Sequence, residues 1–165
     1  MAMKTNKSQN LITENWQKSQ LPATNAIIYP CGMLTILDFY KIFNPNTDET
    51  AYFCTPLCDT TIDSFLKYNA DCWVKVGEWT SIPYKNGQIK GGDGGMGNEG
   101  FIACVDECGD LLWAMFFDTT NPIKRLKINE NTLIAVNEHD ELQLEINLEK
   151  ISDIKMAKIG GFWDL

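Results

Sequence analysis

The second half of the chain constrains the fold most. Residues 101–105, 111–117, 123–128, 132–136 and 142–148 are short segments of apolar or alternating character. Clusters of turn formers divide them, at 106–110, 118–122, 129–131 and 137–140. Segments of this length, bounded by Asp, Asn, Gly and Pro, read as strands. In the last one, Leu142, Leu144, Ile146 and Leu148 share a face, while Gln143, Glu145 and Asn147 share the other. A period of two predicts a strand with one wet side, and the series predicts an antiparallel meander.

The first half is similar but less clearly marked. Residues 26–29, 33–40 and 50–54 read as strands, and 72–79 alternates Cys72, Val74 and Val76 against Trp73, Lys75 and Trp79. Between them, Asp59 or Thr60 can cap a short helix reaching Asn69, with Ile62, Phe65 and Leu66 on one stripe. Residues 151–159 are helical or extended and precede Gly160-Gly161 and the apolar pair Phe162-Trp163, which either docks on the core or is offered to a partner. The expected fold class is α+β, predominantly antiparallel β, with one or two short helices. A flexible segment, 1–12, precedes one compact domain, 13–165.

One pattern occurs twice at an offset of 77: Cys31-Gly32-x-Leu34-x4-Phe39-x4-Asn44-Pro45 and Cys108-Gly109-x-Leu111-x4-Phe116-x4-Asn121-Pro122. Between 26–45 and 103–122, seven of twenty positions are identical, where unrelated stretches share roughly one. A duplicated scaffold, with β-meander halves 13–78 and 79–150 and a C-terminal segment 151–165, is one reading, and a chance match among many windows is the other. In each copy the pattern spans a turn, an apolar strand and the next turn. Its cysteines therefore belong to the framework.

Other motifs lack the context that their chemistry requires. Cys54 with Cys58 and Cys104 with Cys108 have Cys-x3-Cys spacing, which falls in the range of zinc ligands. Cys104, however, lies inside an apolar run, where a buried thiol is expected. Gly92-Asp-Gly94-Gly-Met-Gly97 matches a dinucleotide fingerprint, yet a strand-like segment follows it where a helix N-terminus must hold the pyrophosphate. The glycines between Gly87 and Gly100 read instead as a flexible surface loop. Asp93 is a poor calcium site on its own, and His139, between Glu138 and Asp140 in a turn, lacks a catalytic partner. No enzyme activity, cofactor or metal is expected.

Composition bounds the partners. At 165 residues and 44% hydrophobic content, the chain can build a substantial core. Its 22 acidic and 14 basic residues give a net charge of −8, which disfavours nucleic acid and draws in a basic protein. Acidity that merely maintains solubility is the plainer alternative. The polar first ten residues and the lack of any run near the ~18 apolar residues of a membrane span point to the cytoplasm and no membrane partner. Six cysteines are then reduced thiols.

In size, acidity, lack of an export signal and scarcity of motifs, the chain resembles the bacterial immunity proteins that partner polymorphic or contact-dependent growth inhibition toxins. The resemblance implies a monomer that binds one cognate toxin domain, commonly a basic nuclease, in a heterodimeric complex and covers its active site. The carboxylates expected to take part border two hairpins, Glu99, Asp106, Glu107 and Asp110 at one and Glu138, Asp140, Glu141 and Glu145 at the other. Trp73, Trp79 and Tyr84 are the candidate aromatic anchors. The alternative function is a small-ligand-binding or enzymatic β protein that uses residues 87–100 as a lid.

Overall fold

The computed structural model describes residues 7–159. Helix α1 (Lys7–Gln17) is followed by strands β1 (Gln20–Pro22), β2 (Ala26–Ile28), β3 (Met33–Asn44) and β4 (Glu49–Thr61). Helix α2 (Ile62–Leu66) leads to β5 (Trp73–Lys75), β6 (Gly77–Tyr84), β7 (Gly87–Asp93), β8 (Gly100–Val105) and β9 (Leu111–Phe117). The chain ends its described part with β10 (Ile123–Asn129), β11 (Thr132–Asn137), β12 (Leu142–Asn147) and β13 (Ile154–Lys158). The architecture is α+β and mostly antiparallel β, as expected from the strand pattern.

The strands form three sheets: β4-β3-β2-β9-β8-β7-β6, β10-β11-β12-β13, and the ribbon β1-β5. The seven-stranded sheet is the middle layer. One face packs on the four-stranded sheet through Ile27, Ile89, Ile102, Met115, Phe117, Leu133, Leu144 and Ile146. The other packs on α1, α2 and the ribbon through Ala26, Ile28, Phe101, Ala103, Phe116, Ile12, Ile62 and Leu21. β8 is buried along its whole length. This explains why residues 101–105 are apolar without alternation, since both faces of the strand are covered. The sheets also meet at their margins, with β4 beside β13 and β6 beside β10.

Several local expectations change. The five strands of the second half do not form one meander: β9 pairs with β8 and β2, and the chain then crosses at 118–122 to the second sheet. Buried polar groups hold this crossover. Asn137 Nδ2 donates to Thr120 O at 3.1 Å, the Glu138 amide donates to Pro122 O at 2.7 Å, and Asn137 Oδ1 accepts from the amides of Glu141 and Leu142. Residues 72–79 are broken at Val76, whose amide donates to Ser19 O at 2.8 Å, so β5 and β6 join different sheets. The helix cap is Thr61, the last residue of β4 and immediately before α2, whose side chain accepts from the Ser64 amide at 3.2 Å; Asp59 and Thr60 lie further back in the strand, opposite Thr35 and Leu34. Helix α1 begins at Lys7 and buries Ile12, so part of the segment set apart as flexible is helical. Residues 151–159 supply the strand β13, while Phe162-Trp163 lie outside the described residues.

The glycine-rich stretch is the largest correction. Residues 87–93 are a strand paired on both sides, with β6 and with β8, and only 94–99 remain as a loop. Glycine is needed there for close approach: a Cβ on Gly92 would collide with the Gly77 carbonyl, at the bulge where Trp79 is left unpaired in β6.

The repeated pattern maps onto two hairpins, β2–β3 and β8–β9, which lie side by side because β2 pairs with β9. In both copies the Cys-Gly step is the hairpin turn, with Gly32 at φ 94° and Gly109 at φ 83°, a conformation that glycine adopts without strain. The correspondence fails beyond the turn. β9 carries a bulge that leaves Leu112 unpaired, so Phe116 packs in the helix-side core, whereas Phe39 packs in the inter-sheet core. One extra residue reverses the face of every side chain after it.

A tightly packed Gly92 implies that Gly92→Ala should destabilise the protein by about 3 kcal/mol. Gly97→Ala, which meets nothing within 4 Å, should change stability by less than about 0.5 kcal/mol. Urea titration of the two variants checks the difference.

Candidate interaction surfaces

The carboxylates expected to border one surface are divided between two ends of the fold. Asp106, Glu107 and Asp110 follow the Val105 end of β8, in the turn to β9. Glu138, Asp140 and Glu141 lie by the opposite end, since their turn is bonded to Thr120 and Pro122, and the Asn121 amide donates to Asn98 O at 2.9 Å beside Gly100. The length of β8 alone puts roughly 17 Å between them. Glu99 leaves the surface altogether: it is 8% exposed, and its Oε2 has no hydrogen-bond partner among the described residues.

Some of the remaining charges are committed locally. Asp106 Oδ1 accepts from the amides of Cys108 and Asp110, each at 2.9 Å, and so builds its own turn. Asp140 accepts from Lys124 Nζ at 2.8 Å and from Arg125 Nη2. The Lys124 hydrogen bond, aided by the charges of Arg125 and Lys124, holds the Asp140 carboxyl below the usual carboxylate range. Among the aromatic candidates, Trp73 packs in the helix-side core and Tyr84 in the inter-sheet core, with Lys85 Nζ 5.4 Å from the Tyr84 ring centre. Trp79, displaced outward by the β6 bulge, is 45% exposed.

The structure assembles a different acidic surface, of which only Glu145 was expected. The β10–β11 and β12–β13 turns meet at one end of the four-stranded sheet. There Glu130, Glu145, Glu149 and Asp153 line a concavity of about 230 Å3 with Asn131, Thr132, Asn147 and Lys155. Four carboxylates face one ammonium group. The Leu148 amide donates to Asn131 O at 2.8 Å, Asn131 Nδ2 donates to Glu149 Oε1 at 3.1 Å, and Asn147 Oδ1 accepts from the Glu149 amide at 3.0 Å. The turns are thereby fixed to each other. Glu130, at φ 54°, opens the two-residue turn between Asn129 and Thr132. In the sequence only Glu130 stood in a turn cluster, and residues 151–159 were expected to be helical or extended; the turn at 148–153, and the end it shares with the β10–β11 turn, come from the pairing of β12 with β13.

The cysteines divide by burial. Cys54, Cys72 and Cys104 are buried, and Cys31, Cys58 and Cys108 are exposed. Each Cys-x3-Cys pair thus joins a core position to a surface one. Among the described residues no three His, Cys, Asp or Glu converge as a metal site. Burial, reinforced by the Asp38 charge, pushes the Cys54 thiol up to about 12 from 9.0. Among the described residues no helix is long and apolar enough to cross a membrane.

Two outcomes follow for the thiols. A disulfide reagent at neutral pH should modify Cys31, Cys58 and Cys108 promptly and the other three only upon unfolding, as counted by mass spectrometry. Below pH 9 the Cys54 thiol is protonated in both states; above it the unfolded thiol ionises first, so stability is lost as pH rises toward about 12. The alkaline loss attributable to Cys54 should approach about 1.4 kcal/mol per pH unit. Cys54→Ala should flatten that part of the denaturation profile. No protein-family model matches the chain, and no curated protein matches it.

Proposed function

We propose that the protein is an immunity protein that binds a cognate bacterial toxin domain with a basic surface and neutralises it by covering its active site. It acts as a cytoplasmic monomer within a heterodimeric complex. The observation that carries this reading is the acidic concavity of Glu130, Glu145, Glu149 and Asp153, on a chain with a net charge of −8. A Lys or Arg side chain projecting from a nuclease surface would replace the phosphate contacts of its substrate with these carboxylates. Exposed ion pairs contribute little affinity, so the charges steer and orient the encounter, while desolvated contacts around them hold the complex. The other reading, a ligand-binding or enzymatic β protein, has only residues 94–99 left to serve as its lid, because 87–93 are sheet.

The test is direct binding between the purified protein and the toxin domain encoded immediately upstream. Surface plasmon resonance should give a tight complex whose association rate falls steeply with salt. Glu130→Lys with Glu149→Lys should slow association by about tenfold at low salt and much less at high salt. If the pair fails to associate, the immunity reading is wrong; if it associates but ignores both salt and charge reversal, the concavity is not the binding face.

A further inference from the structure

Two anomalies meet in the connection between β7 and β8. The first is Glu99, buried at 8% exposure, whose Oε2 has no hydrogen-bond partner among the described residues. A carboxylate oxygen withdrawn from water without a donor costs the fold free energy. Its side chain lies against Gly94, where an added Cβ would collide with the carboxylate and meet the Phe116 ring at 3.0 Å. The backbone of Gly94 therefore covers the carboxylate directly.

The second anomaly is the composition of the loop. Close approach accounts for Gly94, but not for Gly95 or Gly97. A Cβ on Gly95 would make ordinary contact with Val74 of β5, at 3.7 Å, and one on Gly97 would meet nothing within 4 Å. Neither has positive φ. Glycine widens the range of conformations open to a chain, so two glycines that the closed loop does not require imply a second conformation that does. The ends of the loop are fixed: Asp93 pairs with Gly100, and Asn98 O accepts from the Asn121 amide at 2.9 Å. Between them, Met96 is 65% exposed at the tip, and the bond from the Glu99 amide to Met96 O, at 3.1 Å, is the one that lifting the loop breaks.

We propose that residues 94–97 form a flap over a concealed cation site, in which Glu99 receives the alkylammonium or guanidinium group of a small amine or of a partner's side chain. An N–H donor on a cation gives the unpartnered oxygen a charge-assisted hydrogen bond, the interaction that best offsets its burial. The Phe116 ring beside it supplies an apolar wall for the alkyl stem. Opening has an energetic cost, so the ligand binds by drawing on a minor open population and stabilising it. The site is separate from the acidic concavity and independent of the toxin reading: it lies by the Asn137 end of the second sheet, through Thr120 and Asn121, whereas the concavity lies at the Thr132 end.

The test is an NMR titration of the full chain with butylammonium and with butylguanidinium. Both should shift the amides of residues 94–99 saturably at millimolar concentration, while tetramethylammonium, which carries the charge without an N–H donor, should leave them in place. Glu99→Gln should weaken the response by about tenfold. A second variant leaves Glu99 intact: Val74→Cys with Gly95→Cys has the Cβ separation of a disulfide, so oxidation should lock the flap and abolish the response, and reduction should restore it. With the toxin domain encoded upstream, a complex weakened by that oxidation identifies its Lys or Arg as the source of the cation, and an unchanged complex identifies a small amine. No shift at all, equal shifts with all three cations, or a response that survives Glu99→Gln or the oxidised pair would overturn the proposal.

Discussion

The structure depends on β8 and the 114–117 part of β9 being buried on both faces. Each of these strands contributes alternate side chains to two cores, Ile102, Met115 and Phe117 on one side and Phe101, Ala114 and Phe116 on the other. Burial of whole Phe and Ile side chains contributes about 1.5–3 kcal/mol each, so a strand that feeds two cores couples the stability of both. The four-stranded sheet and the helical layer are thus joined through shared strands, without needing a direct interface between them. The glycines of β7 belong to the same constraint, since they let neighbouring backbone approach a sheet already covered on both sides.

Charge is organised differently from the core. Acidic residues occur in nearly every turn, and a chain with a net charge of −8 would repel itself if they all gathered at one place. Some are consumed locally, as Asp106 is by its own turn and Asp140 by Lys124 and Arg125. Those at 130, 145, 149 and 153 converge because a meander brings alternate turns to the same end of its sheet. Hydrogen bonds between Asn131, Asn147 and the neighbouring backbone then hold the turns together, so the carboxylates form a shaped surface and not a diffuse halo.

Legibility follows the range of the interaction that decides each feature. The strands at 111–117, 132–136 and 142–148 were readable because alternation or apolar runs between turn formers are local properties. Leu142, Leu144 and Ile146 are buried and Glu145 and Asn147 half-exposed, but Gln143, expected on the wet face with them, is buried at 5% exposure. The Cys-Gly turns were readable for the same reason, and both glycines have positive φ. β7 was not readable. Its glycines carry no side chain to signal burial, and their need for close approach arises from other strands, β6, β8 and β10. The acidic surface was largely hidden: Glu130 was recognisable in a turn and Glu145 on a strand, but the turn at 149–153 and the grouping of all four carboxylates required the strand order.

The amino-acid sequence by itself determined most of the strands and turns of the second half, the Cys-Gly turns and that the surface is acidic, because these follow from nearest neighbours and composition. Tertiary structure alone decided that β9 pairs with β2 while β10 departs to a second sheet, that Glu99 is buried, and that the two matching segments place Phe39 and Phe116 in different cores. The physical reason is the pleat. Side chains alternate faces, so a single bulge at Leu112 reverses everything after it, and only pairing with another strand reveals that the bulge exists.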